Sequence, residues 1–256
     1  MVNDKQFRDT EKLYHYTTLA NALSIIQSGR LYMSALSKLN DINESYRPIW
    51  AFNDAYDDDT RYEWLDMAVE ELRNYRQCSL TMDDERPGFA ILPLWGHYAN
   101  KGMGVCLVFD KNKIIESLSD RNDFHSDKVK YVPSYDNGIT IDEEPKEYFR
   151  KHMSETFFRK SSDWEYEQEF RIICRTECTS AHIDISKAIM AAIMCYAEDC
   201  DFNKDSIYNS SAYLLLTKAA PSIPILIFAV TDGGPRLIKE DTQWFPEPQH
   251  DFILDV

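Results

Sequence analysis

The hydrophobic pattern changes period repeatedly along the chain, and each change marks an element. Leu13 to Thr17 alternates as a short strand that puts Leu13, His15 and Thr17 on one face. Leu19, Ala22, Leu23 and Ile26 follow at helical spacing; Thr17 or Thr18 caps that helix, and Gly29 ends it in a left-handed turn. Arg30 to Ser34 returns as a strand, with Leu31 and Met33 on one face and Tyr32 and Ser34 on the other. Trp64, Ala68, Leu72 and Tyr75 predict one face of a second helix. Phe89 to Tyr98 and Gly104 to Phe109 read as strands joined by the turn Asn100-Lys101-Gly102. Lys111 to Leu118 is a short helix, Val129 to Val132 a short strand, and Glu144 to Lys160 a long amphipathic helix. Glu169 to Arg175 is a strand. Ser186 to Cys195, apolar on most sides, predicts a buried helix; Tyr213 to Ala219 is helical; Ile223 to Val230 is a fully apolar strand. The pattern predicts an α+β protein with small mixed or antiparallel sheets flanked by helices. It reads as a single domain, with tails over 1–11 and 233–256 around a core of 12–232.

Composition narrows the function classes. The chain has 256 residues and an apolar fraction of 44%, enough for a sizeable core. A net charge of -15 argues against sequence-independent binding to nucleic acid, which needs clustered Lys and Arg. The clusters Asp57-Asp58-Asp59, Asp83-Asp84-Glu85 and Asp142-Glu143-Glu144 read as solvated loops. No apolar run approaches the ~20 residues of a membrane span. The segment Met1-Val2-Asn3-Asp4-Lys5 has no apolar signal core, so a cytoplasmic location is the expectation. Cys174, Cys178, His182, Cys195 and Cys200 can be strung together as a zinc site, but the spacing is loose and contains no C-x-x-C pair. Reduced structural thiols are the better reading, and no metal is expected.

Four groups carry candidate chemistry: Tyr14-His15-Tyr16-Thr17, Leu39-Asn40-Asp41-Ile42-Asn43-Glu44, Trp95-Gly96-His97-Tyr98, and Trp164-Glu165-Tyr166-Glu167-Gln168-Glu169-Phe170-Arg171. The last is the most informative. On a strand, Glu167, Glu169 and Arg171 share a face, and two carboxylates on a half-buried face repel and lose solvent. Such a pair marks either a site or a structural ion-pair ladder. A Trp and a His at alternate strand positions, Trp95 and His97, line a pocket or pack in a core.

These strings, in this order and together with Ser28-Gly29-Arg30-Leu31 and Gly104-Val105-Cys106-Leu107, resemble a bacterial family, the domain of unknown function numbered twenty-nine seventy-one. More distantly, a histidine on a first strand, a helix, a Gly-Leu turn and a strand ending in Ser is similar to the opening of ADP-ribosyltransferase folds. That resemblance implies NAD as substrate, with a histidine, an aromatic or small polar residue and a late glutamate as its site. The matching positions are His15, Tyr32 or Ser34, and Glu169, with Glu167 and Glu169 similar to a two-glutamate motif. Tyr16 stands where many such enzymes have Gly.

The expectation is therefore an NAD-dependent ADP-ribosyltransferase or NAD glycohydrolase, acting on a protein or nucleic acid. By analogy of fold it would serve as a toxin or anti-phage defence effector, with an antitoxin or activator as partner. Glu169 stabilises the charge developing on the ribose and Glu167 orients it or accepts a proton. His15 bonds a ribose hydroxyl, with Tyr16 and Thr17 beside it on that strand. Tyr32 stacks on nicotinamide near Ser34, Trp95 and His97 line the far wall, and Arg171 pairs with pyrophosphate or balances Glu169. The alternative is a non-catalytic nucleotide- or partner-binding module. A third reading, metal-assisted hydrolysis by His15, Asp41, Glu44 and His97, has no defined geometry and ranks last.

Overall fold

The computed structural model describes residues 7, 9–39, 51–52, 57–133, 138–139, 143–196, 210–231, 234–239 and 242–244. Asp41, Glu44 and Cys200, named above, lie outside the described residues. In chain order the elements are β1 (Lys12–Thr17), α1 (Leu19–Ser28), β2 (Arg30–Ala35), β3 (Ala51–Phe52), α2 (Asp58–Leu72), β4 (Tyr75–Met82), α3 (Leu92–His97), β5 (Val105–Asp110) and α4 (Lys111–Leu118). There follow β6 (Phe124–Lys128), β7 (Lys130–Val132), β8 (Gly138–Ile139), α5 (Pro145–Lys151), α6 (Met153–Phe157), β9 (Arg159–Ser161), a 3₁₀ turn (Ser162–Glu167) and β10 (Glu169–Arg175). The chain continues through β11 (Ala181–Asp184), β12 (Ile189–Tyr196), α7 (Ser211–Ala219), β13 (Ile225–Thr231), β14 (Gly234–Lys239) and β15 (Thr242–Trp244). The class is α+β, with mostly antiparallel sheet flanked by helices. The chain divides into two compact units, one comprising Met1–Arg30, Met82–Ser117 and Asp184–Val256, the other Leu31–Thr81 and Leu118–Ile183.

In the first unit the strands run in the order β1-β5-β12-β13-β14-β15. β5 is buried along its whole length, with strands paired on both of its edges. It pairs antiparallel with β1 from Lys12↔Asp110 to Thr17↔Val105, and with β12 on its other edge. β13 then pairs with β12 in parallel. Helix α1 begins where the Thr18 side chain accepts a hydrogen bond from the Asn21 N–H and ends at Gly29 in the left-handed region (φ 64°), as its sequence predicts. The Ser186–Cys195 segment, expected as a helix, is instead the strand β12. A run buried on both faces has no period to read, and its Ala and Met residues are good helix formers whose preference the tertiary context overrides.

The second unit places β11 beside β2, and β2 beside β4 through Ser34↔Gln77 and Ala35↔Arg76. β10 lies antiparallel to β4 from Glu169↔Thr81 to Arg175↔Tyr75, and β6 covers the other edge of β10. One sheet face, at Tyr75 and Ile173, packs on Trp64 and Ala68 of α2 and on Tyr148, Phe149 and Phe157 of α5 and α6. Tyr75 and Phe157 stack with ring centroids 4.5 Å apart.

Three further expectations are corrected here. Tyr75 opens β4 and does not close a helix; the polar residues Gln77, Ser79 and Thr81 alternate with the apolar Cys78, Leu80 and Met82, as the two faces of a strand do. The 144–160 helix is broken at His152 (φ -106°, ψ 36°) and followed by β9, which swings Lys160 out of the helix. Phe89 to Tyr98 is not a strand: Pro93 sits in the first turn of α3, a position that suits a residue with no N–H to donate.

Candidate functional site

Glu169 begins β10 and is 2% exposed; Arg171, two residues on, is fully buried. Arg171 holds both oxygens of that carboxylate, Nε to Oε1 at 2.7 Å and Nη2 to Oε2 at 2.9 Å, while its Nη1 donates to the Phe157 carbonyl at 2.5 Å. Lys160, also buried, donates to Glu167 Oε2 at 2.5 Å and to Glu169 Oε2 at 3.3 Å, and its ammonium sits 4.8 Å from the Trp164 ring centre. Burial pushes the Glu169 carboxyl upward, but the Arg171 charge and hydrogen bonds, with Lys160 and the Ser79 hydroxyl, outweigh it and hold the group at about 2. The backbone N–H of Glu169 donates to the Tyr131 hydroxyl at 2.9 Å.

Glu167 does not lie on the strand. It ends the 3₁₀ turn, and Gln168 follows in the left-handed conformation (φ 47°, ψ 49°). The chain reverses between the two acids, and they meet through Lys160 instead of through strand alternation. Pattern reading missed Lys160. The signal was charge balance, because two buried carboxylates and one arginine leave a net negative charge that a second cation must offset.

Strand register extends this cluster into a polar face. Residues directly opposite one another share a face, so Thr81 joins Glu169, Ser79 joins Arg171, and Ser34 joins Gln77. Tyr32, two positions before Ser34, lies on that face, 57% exposed, with its ring 6.2 Å from that of His182. Ser34 and Ser79 are exposed, and Gln77 is buried, donating from Nε2 to Ser79 Oγ at 3.0 Å. Tyr32, Ser34, Glu169 and Arg171 thus share one sheet face of one unit. Gln77 and Ser79, not foreseen, lie between them.

The remaining candidates belong to the other unit. His15 is half-buried on β1, opposite Leu107. Thr17 is buried at the end of the same strand. Tyr16 is buried and donates to the Gly88 carbonyl at 2.5 Å. Trp95 meets Tyr16 edge-on at 5.1 Å, stacks on Phe228 at 5.6 Å and donates to the Phe89 carbonyl, so its ring is core. His97 ends α3, exposed beside Tyr98. On a helix Trp95 and His97 diverge, so the shared face expected from strand alternation is lost.

Among the described residues no group of three His, Cys, Asp or Glu side chains is placed to hold a metal ion. Burial pushes the Cys174 and Cys195 thiols up to about 11. Among the same residues no helix is long and apolar enough to cross a membrane.

The model of a family described as "Protein of unknown function (DUF2971)" matches residues 94–172. That span contains the Trp95-Gly96-His97-Tyr98, Gly104-Val105-Cys106-Leu107 and Trp164–Arg171 strings. No curated protein and no solved structure matches the chain.

Proposed function

We propose that the protein cleaves the nicotinamide–ribose bond of NAD and transfers ADP-ribose to a macromolecule or to water. One observation carries this reading: a carboxylate held ionised by two cations shares a sheet face with the exposed Tyr32 and Ser34. In the reaction the C1′–N bond breaks and its electron pair leaves with nicotinamide, neutralising the pyridinium. Positive charge develops on the ribose, where a fixed anion stabilises it. Glu169 is that anion, and a ribose 2′-hydroxyl reaches it by taking over the contact now made by Ser79. The attacking hydroxyl of the acceptor, or water, bonds to C1′ and gives its proton to Glu167 or to solvent. Tyr32 provides a ring face for the base.

A second reading is favoured by the saturation of Glu169. Arg171 binds both of its oxygens and also ties β10 to α6 through the Phe157 carbonyl. On this reading the acids are structural and the face belongs to a non-catalytic nucleotide- or partner-binding module. The deciding experiment follows nicotinamide release from NAD with cell lysate supplied as acceptor. Release by the wild type, lost in Glu169→Gln, supports catalysis. Absence of release defeats it, and binding without turnover supports the second reading.

A further inference from the structure

Gln77 is 2% exposed, yet its Oε1 has no hydrogen-bond partner among the described residues. A buried acceptor left without a donor is uncommon and calls for an explanation. Its orientation is fixed by its neighbour. The Ser79 hydroxyl bonds the Glu169 carboxylate, which when ionised only accepts, so the Ser79 proton points to Glu169. Ser79 Oγ must therefore accept from Gln77, which assigns Nε2 to that contact and leaves Oε1 for another donor. The result is two acceptors, Gln77 Oε1 and the Glu169 carboxylate, with the exposed Ser79 hydroxyl between them.

We propose that Gln77 and Glu169 recognise the vicinal hydroxyls of a ribose, one hydroxyl donating to each, with Ser79 as the surface group the sugar replaces or joins. A phosphate presents only acceptors to this pair and is disfavoured, so the face selects the sugar and not the pyrophosphate of a dinucleotide. The inference rests on the reading that this face receives a nucleotide, and it names Gln77 as the residue that fixes sugar specificity.

The test is calorimetric titration of the full chain with ADP-ribose and with ADP-3-deoxyribose, which lacks the hydroxyl assigned to Gln77, for wild type and Gln77→Leu, alongside thermal melts. The wild type is expected to prefer the ribose form by about tenfold or more, as the loss of one buried hydrogen bond implies. Gln77→Leu is expected to lose that affinity without a lower melting midpoint, because the acceptor it removes is unmet in the folded protein and the Ser79 hydroxyl that loses the Nε2 donor is exposed to water. Should Gln77→Leu not fold, Gln77→Met takes its place. Unchanged affinity in a folded variant, or no binding of ADP-ribose to wild type, overturns the proposal. Nicotinamide release that does not depend on Gln77 would sink this inference and leave the activity standing. Binding that depends on Gln77 without release would do the reverse.

Discussion

Arg171 grips Glu169 through two parallel hydrogen bonds of 2.7 and 2.9 Å, with both side chains out of water. Removing Arg171 leaves the buried Glu169 with the longer Lys160 contact of 3.3 Å, at a cost of about 3 kcal/mol, the low end for breaking a buried pair. Arg171→Met is expected to lower the unfolding free energy by that amount, read from urea titration. Arg171→Lys is expected to recover little of it. A point charge cannot reproduce a fork that also reaches the Phe157 carbonyl.

The same pair makes stability depend on acid. Glu169 has a folded value near 2, below the ordinary 4.5 of an unfolded glutamate. A depressed carboxyl contributes its stability above the unfolded value and loses it as pH falls through the folded one, here between about 4.5 and 2. Denaturant midpoints of wild type should fall across that window. Glu169→Gln, less stable at neutral pH, should show a shallower fall, and the two curves should converge at low pH. Parallel curves would remove Glu169 as the titrating group.

Legibility in the sequence followed the strength of each local signal. Thr18 and Gly29 bracket α1 as read, and the Leu31/Met33 face of β2 is buried while Tyr32 and Ser34 face out. The span Glu169–Arg175 was readable because a charged pair opens an apolar run. Gln77 and Ser79 were legible in principle, since Gln77-Cys78-Ser79-Leu80-Thr81-Met82 alternates polar and apolar as a half-buried strand does, but the helical spacing of Trp64, Ala68, Leu72 and Tyr75 drew Tyr75 into the preceding helix. Lys160 was hidden by its neighbours, since Tyr148, Phe149 and Phe157 mimic one long helical stripe and in fact converge from two short helices on Tyr75. Buried polar clusters are assembled by tertiary contacts, and local periodicity does not record them.

Gly104 precedes β5 in a string that looks like a family signature, and its reason is steric. A Cβ there would lie 2.3 Å from the Thr17 carbonyl oxygen and 2.8 Å from the Ala99 backbone. Backbone cannot give way as a flexible side chain can. Gly104→Ala is expected to cost about 1–3 kcal/mol or more, as overpacking does. A thermal midpoint within a degree of wild type would contradict this.

The two glutamates should separate kinetically. On the proposed reading Glu169 acts only where positive charge develops, so its loss would remove an interaction made in the transition state. Glu169→Gln is expected to lower kcat by about 100-fold or more with KM for NAD little changed, the pattern of a lost transition-state contact. Part of any loss could come from unfolding, because the change also leaves Arg171 without its anion; circular dichroism at the assay temperature separates the two. Glu167 is joined to Glu169 through Lys160, and on the same reading it is a positioning residue or proton acceptor. Glu167→Gln is expected to cost about tenfold and to shift the pH–rate profile. If both variants release nicotinamide at the wild-type rate, neither acid serves catalysis and the cluster is a structural tie between β9 and β10.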